Sequence, residues 1–195
     1  RLIVPIGEWV LREACREAMS WPSHIKVAVN VSGEQLLDQG FVRSVIVALQ
    51  ASGLSAQRLV LEVTESIFVR DAGLARAALE KIMELGCGVA LDDFGTGYSS
   101  LAYIRDLHFS TIKVDRTFVQ GAAKGSRESV AIIRAVVAMA QALEMSTTAE
   151  GVENENEAAL IRSLGCTNIQ GYHFGRPMPA AEARKLFRTA ERESA

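Results

Sequence analysis

The feature that most restricts the fold of this 195-residue chain is a regular alternation of short β-type runs with longer stretches of helical periodicity. Between the second and third runs, for example, apolar residues recur at the i, i+3, i+4 spacing of an amphipathic helix, namely Leu74, Ala75, Ala78, Leu79, Ile82 and Met83. Such an alternation predicts a parallel sheet with crossover helices, built either as an open doubly wound sheet or as a closed barrel. The β-type runs are Lys26–Ser32, Leu59–Glu65, Gly88–Asp92, Thr111–Asp115, Ser146–Glu150 and Asn168–Tyr172.

The side-chain alternation within the runs favours the barrel. In the fourth run, Ile112 and Val114 alternate with Thr111, Lys113 and Asp115, and the other runs show the same contrast of an apolar face with a small, polar one. An open doubly wound sheet is covered by helices on both faces and needs apolar residues on both. A barrel buries the apolar face under its helices, while polar residues at its C-terminal mouth form the site. A half-solvated antiparallel sheet would also alternate, but the strong helical patterns disfavour it.

Size limits how much of a barrel this chain supplies. Six strands do not close an eight-stranded barrel, and 195 residues are fewer than the roughly 250 of a typical one. We therefore expect an α/β fold of the (β/α)8 TIM-like type, with residues 1–195 as a single domain and the first βα units absent. The chain also lacks an initiator Met and opens in a helical pattern, as expected of a piece of a longer protein.

Composition excludes several classes of protein. With 23 acidic and 21 basic residues and a net charge of −2, the chain has no basic footprint for a nucleic-acid polymer. It has no apolar run of the roughly 18 residues that a membrane span needs. Cys15, Cys87 and Cys166 are odd in number and far apart, which fits neither a disulfide framework nor a CxxC metal site. This cysteine usage is typical of a reducing cytoplasm. A cytoplasmic domain is also compatible with membrane tethering of the parent protein.

Polar side chains stand near the C-terminal end of each predicted strand, on the inward face. In a barrel they meet at one mouth, where three carboxylates face a single Lys. Burying carboxylates together without enough counter-charge costs several kcal/mol each, and a divalent cation removes that cost. Oxygen ligands of this kind select hard cations such as Mg²⁺ or Mn²⁺. The converging residues are Asn30, Glu62, Asp92, Lys113, Glu150 and Gln170.

A second acid extends this site. Asp93 directly follows Asp92, and adjacent residues of a strand point in different directions, so the pair can serve two cations or bridge them. Two hard cations about 3.5–4 Å apart form a clamp for in-line phosphoryl chemistry. Gly95 and Gly97 allow the following loop to turn sharply and to approach a ligand. Farther along the chain, Gly121 and Gly125 predict a surface loop after the fourth strand.

Several motifs resemble those of the EAL-domain family, bacterial phosphodiesterases of the second messenger cyclic di-GMP. The resemblance runs in family order over nearly the whole chain, from Gly7–Leu11 to Gly175–Pro177. The most specific motif is DDFGTGYSS at Asp92–Ser100. The others are NVS at Asn30–Ser32, EVTES at Glu62–Ser66, IKVD at Ile112–Asp115, AEGVE at Ala149–Glu153 and QGY at Gln170–Tyr172.

The resemblance implies a role for each matching position and a two-metal Mg²⁺ or Mn²⁺ site. Glu150 would be a metal-site carboxylate and the general base, and Lys113 would orient the attacking water or a phosphate oxygen. Gln170 would support the water and the substrate, while Glu65 and Glu153 would brace the Asp93–Leu101 loop. The first metal would be bound by Asn30, Glu62 and Asp92, and the second with the help of Asp93.

The implied reaction is hydrolysis of one phosphodiester of cyclic di-GMP to linear pGpG. The resemblance also implies a homodimer through the region of the Asp93–Leu101 loop and sensory or GGDEF domains in the parent protein. The Glu-Ala-Leu motif that names the family, whose Glu binds metal, precedes the segment matched by Gly7–Leu11, and we expect residues 1–195 to lack it. The alternative function is therefore a non-catalytic cyclic di-GMP receptor or interaction module.

Overall fold

The computed structural model describes residues 2–95 and 101–193. A 3₁₀ turn at Ala56–Arg58 precedes the second strand. The strands are β1 (Val27–Asn30), β2 (Leu59–Thr64), β3 (Gly88–Phe94), β4 (Thr111–Val114), β5 (Ser146–Ala149) and β6 (Asn168–Ile169). The helices of the described part are α1 (Ile3–Ala18), α2 (Gly33–Leu36), α3 (Phe41–Ser52), α4 (Ile67–Glu84), α5 (Leu101–Asp106), α6 (Arg116–Ala123), α7 (Arg127–Ala142), α8 (Glu155–Ser163) and α9 (Ala180–Glu193).

The strand order decides between the two predicted architectures. All neighbouring strands pair in parallel, and the order β1-β2-β3-β4-β5-β6 in the sheet is the order along the chain. A doubly wound sheet reverses its strand order at a switch point, whereas a barrel adds each strand on the same side of the last. The described strands therefore form an open half-barrel with β1 and β6 at its edges. The predicted barrel-type α/β fold is confirmed.

The apolar face of the sheet packs against the helices. In β2, Leu59, Leu61 and Val63 are completely buried, while the residues between them are half-buried on the other face. The helices contribute matching apolar residues, among them Leu79 of α4 and Ile133 of α7, which are also fully buried. The barrel face is therefore left to polar side chains, as the alternation predicts. Among the described residues, no helix combines the length and the apolar character needed to cross a bilayer.

The segment after β4 differs from its prediction. We expected a surface loop, but α6 begins directly after β4, where the Asp115 side chain accepts a hydrogen bond from the Thr117 N–H at 2.9 Å. Gly121 lies inside this helix, and a Cβ there would come within 2.2 Å of Ser129 Oγ, so the glycine allows α6 to approach α7 closely. Only Gly125, with a φ of +85°, serves as a turn residue. Gly121 therefore indicates close helix packing rather than a loop.

Candidate active site

Four charged side chains meet on the polar face, where the strands end. Glu62 and Asp92 lie in β2 and β3, Lys113 lies in β4, and Glu150 directly follows β5. Parallel strands end at the same rim of a barrel, so residues far apart in sequence come together there. Lys113 is only 4% exposed, and its Nζ lies 2.8 Å from Glu62, 3.0 Å from Asp92 and 2.6 Å from Glu150. One ammonium group therefore serves three carboxylates.

The pKa values of this cluster reflect burial and mutual charge. Burial by itself lowers the pKa of Lys113, but hydrogen bonds to Glu150, Glu62 and Asp92 outweigh it and raise the pKa above its ordinary value. For Glu150, burial raises the pKa, aided by the negative charges of Asp92 and Glu62, and the Lys113 ammonium offsets this only in part. The cluster therefore has more negative charge than its single Lys satisfies.

An irregularity in β3 brings a fourth carboxylate to this rim. Leu91 pairs with Ile112 and Phe94 pairs with Val114, so three steps along β3 match two along β4, which is a β-bulge. Asp93 lies in the bulge with a φ of +52°, a left-handed conformation that Asp tolerates better than most residues. Leu91 and Phe94 are both buried in the core as a result. Asp92 and Asp93 are therefore together on the opposite side, instead of pointing apart as the strand alternation predicts.

This arrangement fits a hard cation. Asp92, Asp93 and Glu150 each offer a carboxylate oxygen, and these three atoms lie within 4.8 Å of one another. Burial raises the pKa of Asp93, and the charges of Asp92 and Asp115 raise it further, so a nearby positive charge would be strongly favourable. A set of oxygen donors is what Mg²⁺ and Mn²⁺ prefer in proteins.

A further acid holds the backbone beside the bulge. Glu65 is 7% exposed and lies just beyond β2, and its Oε1 accepts a hydrogen bond from the Gly95 N–H at 3.2 Å. Gly95 has a φ of +93°, which a residue with a side chain rarely adopts. Glu65 thus fixes the first residue after Phe94. The remainder of the Asp93–Leu101 loop, residues 96–100, is outside the described residues.

The sequence matches the family model of the EAL domain over residues 1–177. This chain belongs to the EAL domain family. Among curated relatives, the bifunctional diguanylate cyclase/cyclic di-GMP phosphodiesterase MucR of Pseudomonas aeruginosa is 44% identical over 185 residues. These residues cover 93% of this chain and 27% of MucR. The chain spans about a quarter of the length of the first curated relatives that it matches.

Solved structures of EAL domains share the fold. The structure of PaMucR phosphodiesterase in complex with c-di-GMP superimposes with a TM-score of 0.88 at 44% identity, covering 93% of this chain and 75% of that one. The EAL domain of Mycobacterium smegmatis DcpA gives a TM-score of 0.90 at 37% identity, covering 97% of this chain and 86% of that one.

Three other predicted site residues of this EAL domain lie at or beyond the ends of their strands. Asn30 pairs in register with Glu62 at the end of β1, and Gln170 follows β6, and both side chains are exposed. Glu153 is also exposed, and its N–H donates to Glu157 Oε2 at 2.7 Å. The roles of Asn30, Gln170 and Glu153 stay predictions.

Sequence reasoning did not single out two residues that touch the rim of the EAL domain. Phe118 and Arg116, in the first turn of α6, lie against Gly95 and Gly151. Each of these glycines closely follows an acidic residue at the end of a strand, namely Asp93 and Glu150. A glycine in that place is the one signal that could have indicated a close approach by another element.

Proposed function

We propose that this EAL domain hydrolyses one phosphodiester bond of cyclic di-GMP, giving linear pGpG, with two Mg²⁺ or Mn²⁺ ions. The observation that carries the proposal is the convergence of the Asp92, Asp93 and Glu150 carboxylates within 4.8 Å. The names of relatives support the substrate, since NbdA of Pseudomonas aeruginosa and PdeR of Escherichia coli are named cyclic di-GMP phosphodiesterases. A pair of bound cations would supply positive charge to the phosphate oxygens and lower the pKa of water.

The residues of the protein would have separate roles in cation binding and in proton transfer. Asn30, Glu62 and Asp92 would hold one cation, and Asp93 would help to hold the other. Glu150 would take the proton from the attacking water. The oxygen of that water would bond to phosphorus while the bond from phosphorus to the 3′ oxygen breaks. The leaving oxygen would take a proton from solvent water to become the 3′ hydroxyl of pGpG, and Glu150 would release its proton to solvent.

Lys113 and Gln170 would act on the substrate. In the structure, Lys113 supplies the counter-charge for three carboxylates. Cations would take over much of that task, so the Lys113 ammonium could donate hydrogen bonds to a phosphate oxygen or to the attacking water. Gln170 would donate or accept hydrogen bonds at the same mouth.

The setting of the domain is proposed as well. We infer a single domain over residues 1–195 that works in the cytoplasm, in keeping with free thiols at Cys15, Cys87 and Cys166. A homodimer through the Asp93–Leu101 region and sensory or GGDEF domains in the parent protein complete the proposal. The name of MucR, which includes a diguanylate cyclase activity, supports the presence of a second catalytic domain.

The test is product identification. The full-length parent protein is incubated with cyclic di-GMP and Mg²⁺ or Mn²⁺, and the products are separated and identified by mass spectrometry. We expect pGpG, no pGpG in excess chelator, and inhibition by Ca²⁺, because Ca²⁺ prefers longer bonds and looser geometry than an in-line clamp. Cyclic di-GMP binding without pGpG under any metal would favour the receptor function. Full turnover in chelator would contradict the metal-dependent mechanism.

A second prediction concerns Glu65, which binds no proposed cation but holds Gly95 at 3.2 Å. We expect Glu65→Ala to lower turnover, because the backbone that follows Asp93 loses its hydrogen-bond acceptor. High Mn²⁺ should restore part of the loss, since mass action refills a weakened site.

Turnover is measured against Mn²⁺ concentration for wild type and Glu65→Ala, with the exposed Glu84→Ala as the matched control. Superimposable curves for wild type and Glu65→Ala would mean that the loop needs no such support.

A further inference from the structure

The first turn of α6, Arg116–Phe118, touches both chain segments that carry the clustered carboxylates. It begins directly after β4, the strand that holds Lys113. On one side the turn reaches the segment after Asp92 and Asp93, and on the other it reaches the segment after Glu150. Each contact is made against a glycine with a positive φ.

The contact with the β3 segment is made by an aromatic ring. A Cβ at Gly95 would lie 3.0 Å from Phe118 Cε2 and 3.2 Å from Cζ, so the ring already lies against the Gly95 backbone. On the side of β2, the Gly95 N–H donates a hydrogen bond to Glu65 Oε1. Gly95 is thus held by an acid from one element and by a ring from another.

The contact with the β5 segment is made by the helix itself. A Cβ at Gly151 would lie 2.5 Å from Arg116 Cβ and 3.4 Å from Arg116 Cα. These Arg116 atoms belong to the helix backbone or are directly attached to it, so rotating the Arg116 side chain could not make room for a Cβ at residue 151. The absence of a side chain at Gly151 therefore allows α6 to pack this close. Gly151 directly follows Glu150.

From these contacts we propose that the first turn of α6 sets the spacing between the Asp92–Asp93 carboxylates and Glu150, with Phe118 as a positioning residue. The inference rests on the proposed cation site. Interiors are close-packed, so a shift of α6 has to move one carboxylate segment relative to the other. A cation with a strict preference for short bonds and octahedral geometry tolerates little of such a change.

Val119, the next residue of α6, offers a matched control. Val119 is completely buried, whereas Phe118 is half-buried against Gly95. Shortening Val119 therefore weakens the packing of the same helix without removing the ring from Gly95.

The experiment measures Mn²⁺ affinity directly, by electron paramagnetic resonance of free Mn²⁺, for wild type, Phe118→Ala and Val119→Ala. We expect Phe118→Ala to weaken Mn²⁺ binding about tenfold, the lower end of the effect usual for residues that orient metal ligands. Val119→Ala should lower the unfolding temperature and leave the affinity at the wild-type value. If Phe118→Ala does not fold, Phe118→Leu is used, and it should weaken binding in the same direction.

The outcomes separate this inference from the proposed function. Equal Mn²⁺ affinity in wild type and a folded Phe118 variant would overturn the positioning role while leaving the cation site intact. Equal weakening by Phe118→Ala and Val119→Ala would also overturn it, because general loosening of α6 would then suffice. A wild-type chain that binds no Mn²⁺ would remove the cation site and this inference together.

Discussion

Replacing Glu150 by Gln should lower the turnover of cyclic di-GMP by about 10²-fold or more, the range usual for loss of a general base. The amide keeps the volume of the side chain, and its oxygen can still accept the hydrogen bond that Lys113 Nζ makes to Glu150 at 2.6 Å. The change removes a negative charge and the site that accepts the proton of water. We therefore expect the affinity for cyclic di-GMP to be largely retained.

The measurements are kcat under saturating Mn²⁺ and the Kd for cyclic di-GMP, with the exposed Glu84→Gln in α4 as the matched control. Turnover near the wild-type value in Glu150→Gln would make Glu150 a structural residue. Loss of substrate binding together with turnover would show that Glu150 chiefly organises the cations.

Replacing Lys113 by Met should lower the free energy of unfolding of the metal-free protein by about 3 kcal/mol, as is typical when one partner of a buried ion pair is removed. Lys113 is 4% exposed and is bonded to three carboxylates, which would face one another without counter-charge. Saturating Mn²⁺ should recover much of the loss, since binding at 100 times the Kd stabilises the folded state by about 2.7 kcal/mol.

Denaturant unfolding with and without Mn²⁺ checks this prediction, and the exposed Lys81→Met is the control. Lowering the pH should narrow the gap between wild type and Lys113→Met. Burial already holds the pKa of Glu150 above its ordinary value, and without Lys113 it rises further. An acid with a raised folded-state pKa destabilises the fold at higher pH, and protonation relieves that. A Lys113→Met protein as stable as wild type at neutral pH would contradict the counter-charge role.

Sequence patterns predicted the fold well because both strand order and burial follow from local alternation. The runs around Glu62 and Lys113 were placed to within a residue, since Leu59–Thr64 and Thr111–Val114 have the apolar and polar faces that a barrel needs. The failure at Gly121 has a tertiary cause. A glycine that lets two helices pack looks the same in sequence as one that starts a loop.

The site was predicted less completely, because its geometry depends on contacts between strands. Alternation indicates that Lys113 faces the mouth, but not that its Nζ reaches Glu62, 51 positions away along the chain. The β-bulge at Asp93 arises from the register of β3 against β4. The residues around Asp93 give no sequence signal of that register. Phe118 was missed for the same reason, since its partner Gly95 belongs to another strand.

The β-bulge in β3 has a consequence for how this domain tolerates changes in length. It places two consecutive carboxylates on one side of a strand whose pleat otherwise separates neighbours. Deleting one residue between Leu91 and Phe94 would restore regular pairing with β4, yet β3 would then supply only one acid to the rim. A regular β3 would thus lose one of the proposed cation ligands, so we expect related domains without the extra residue to keep the barrel and to lose the proposed reaction.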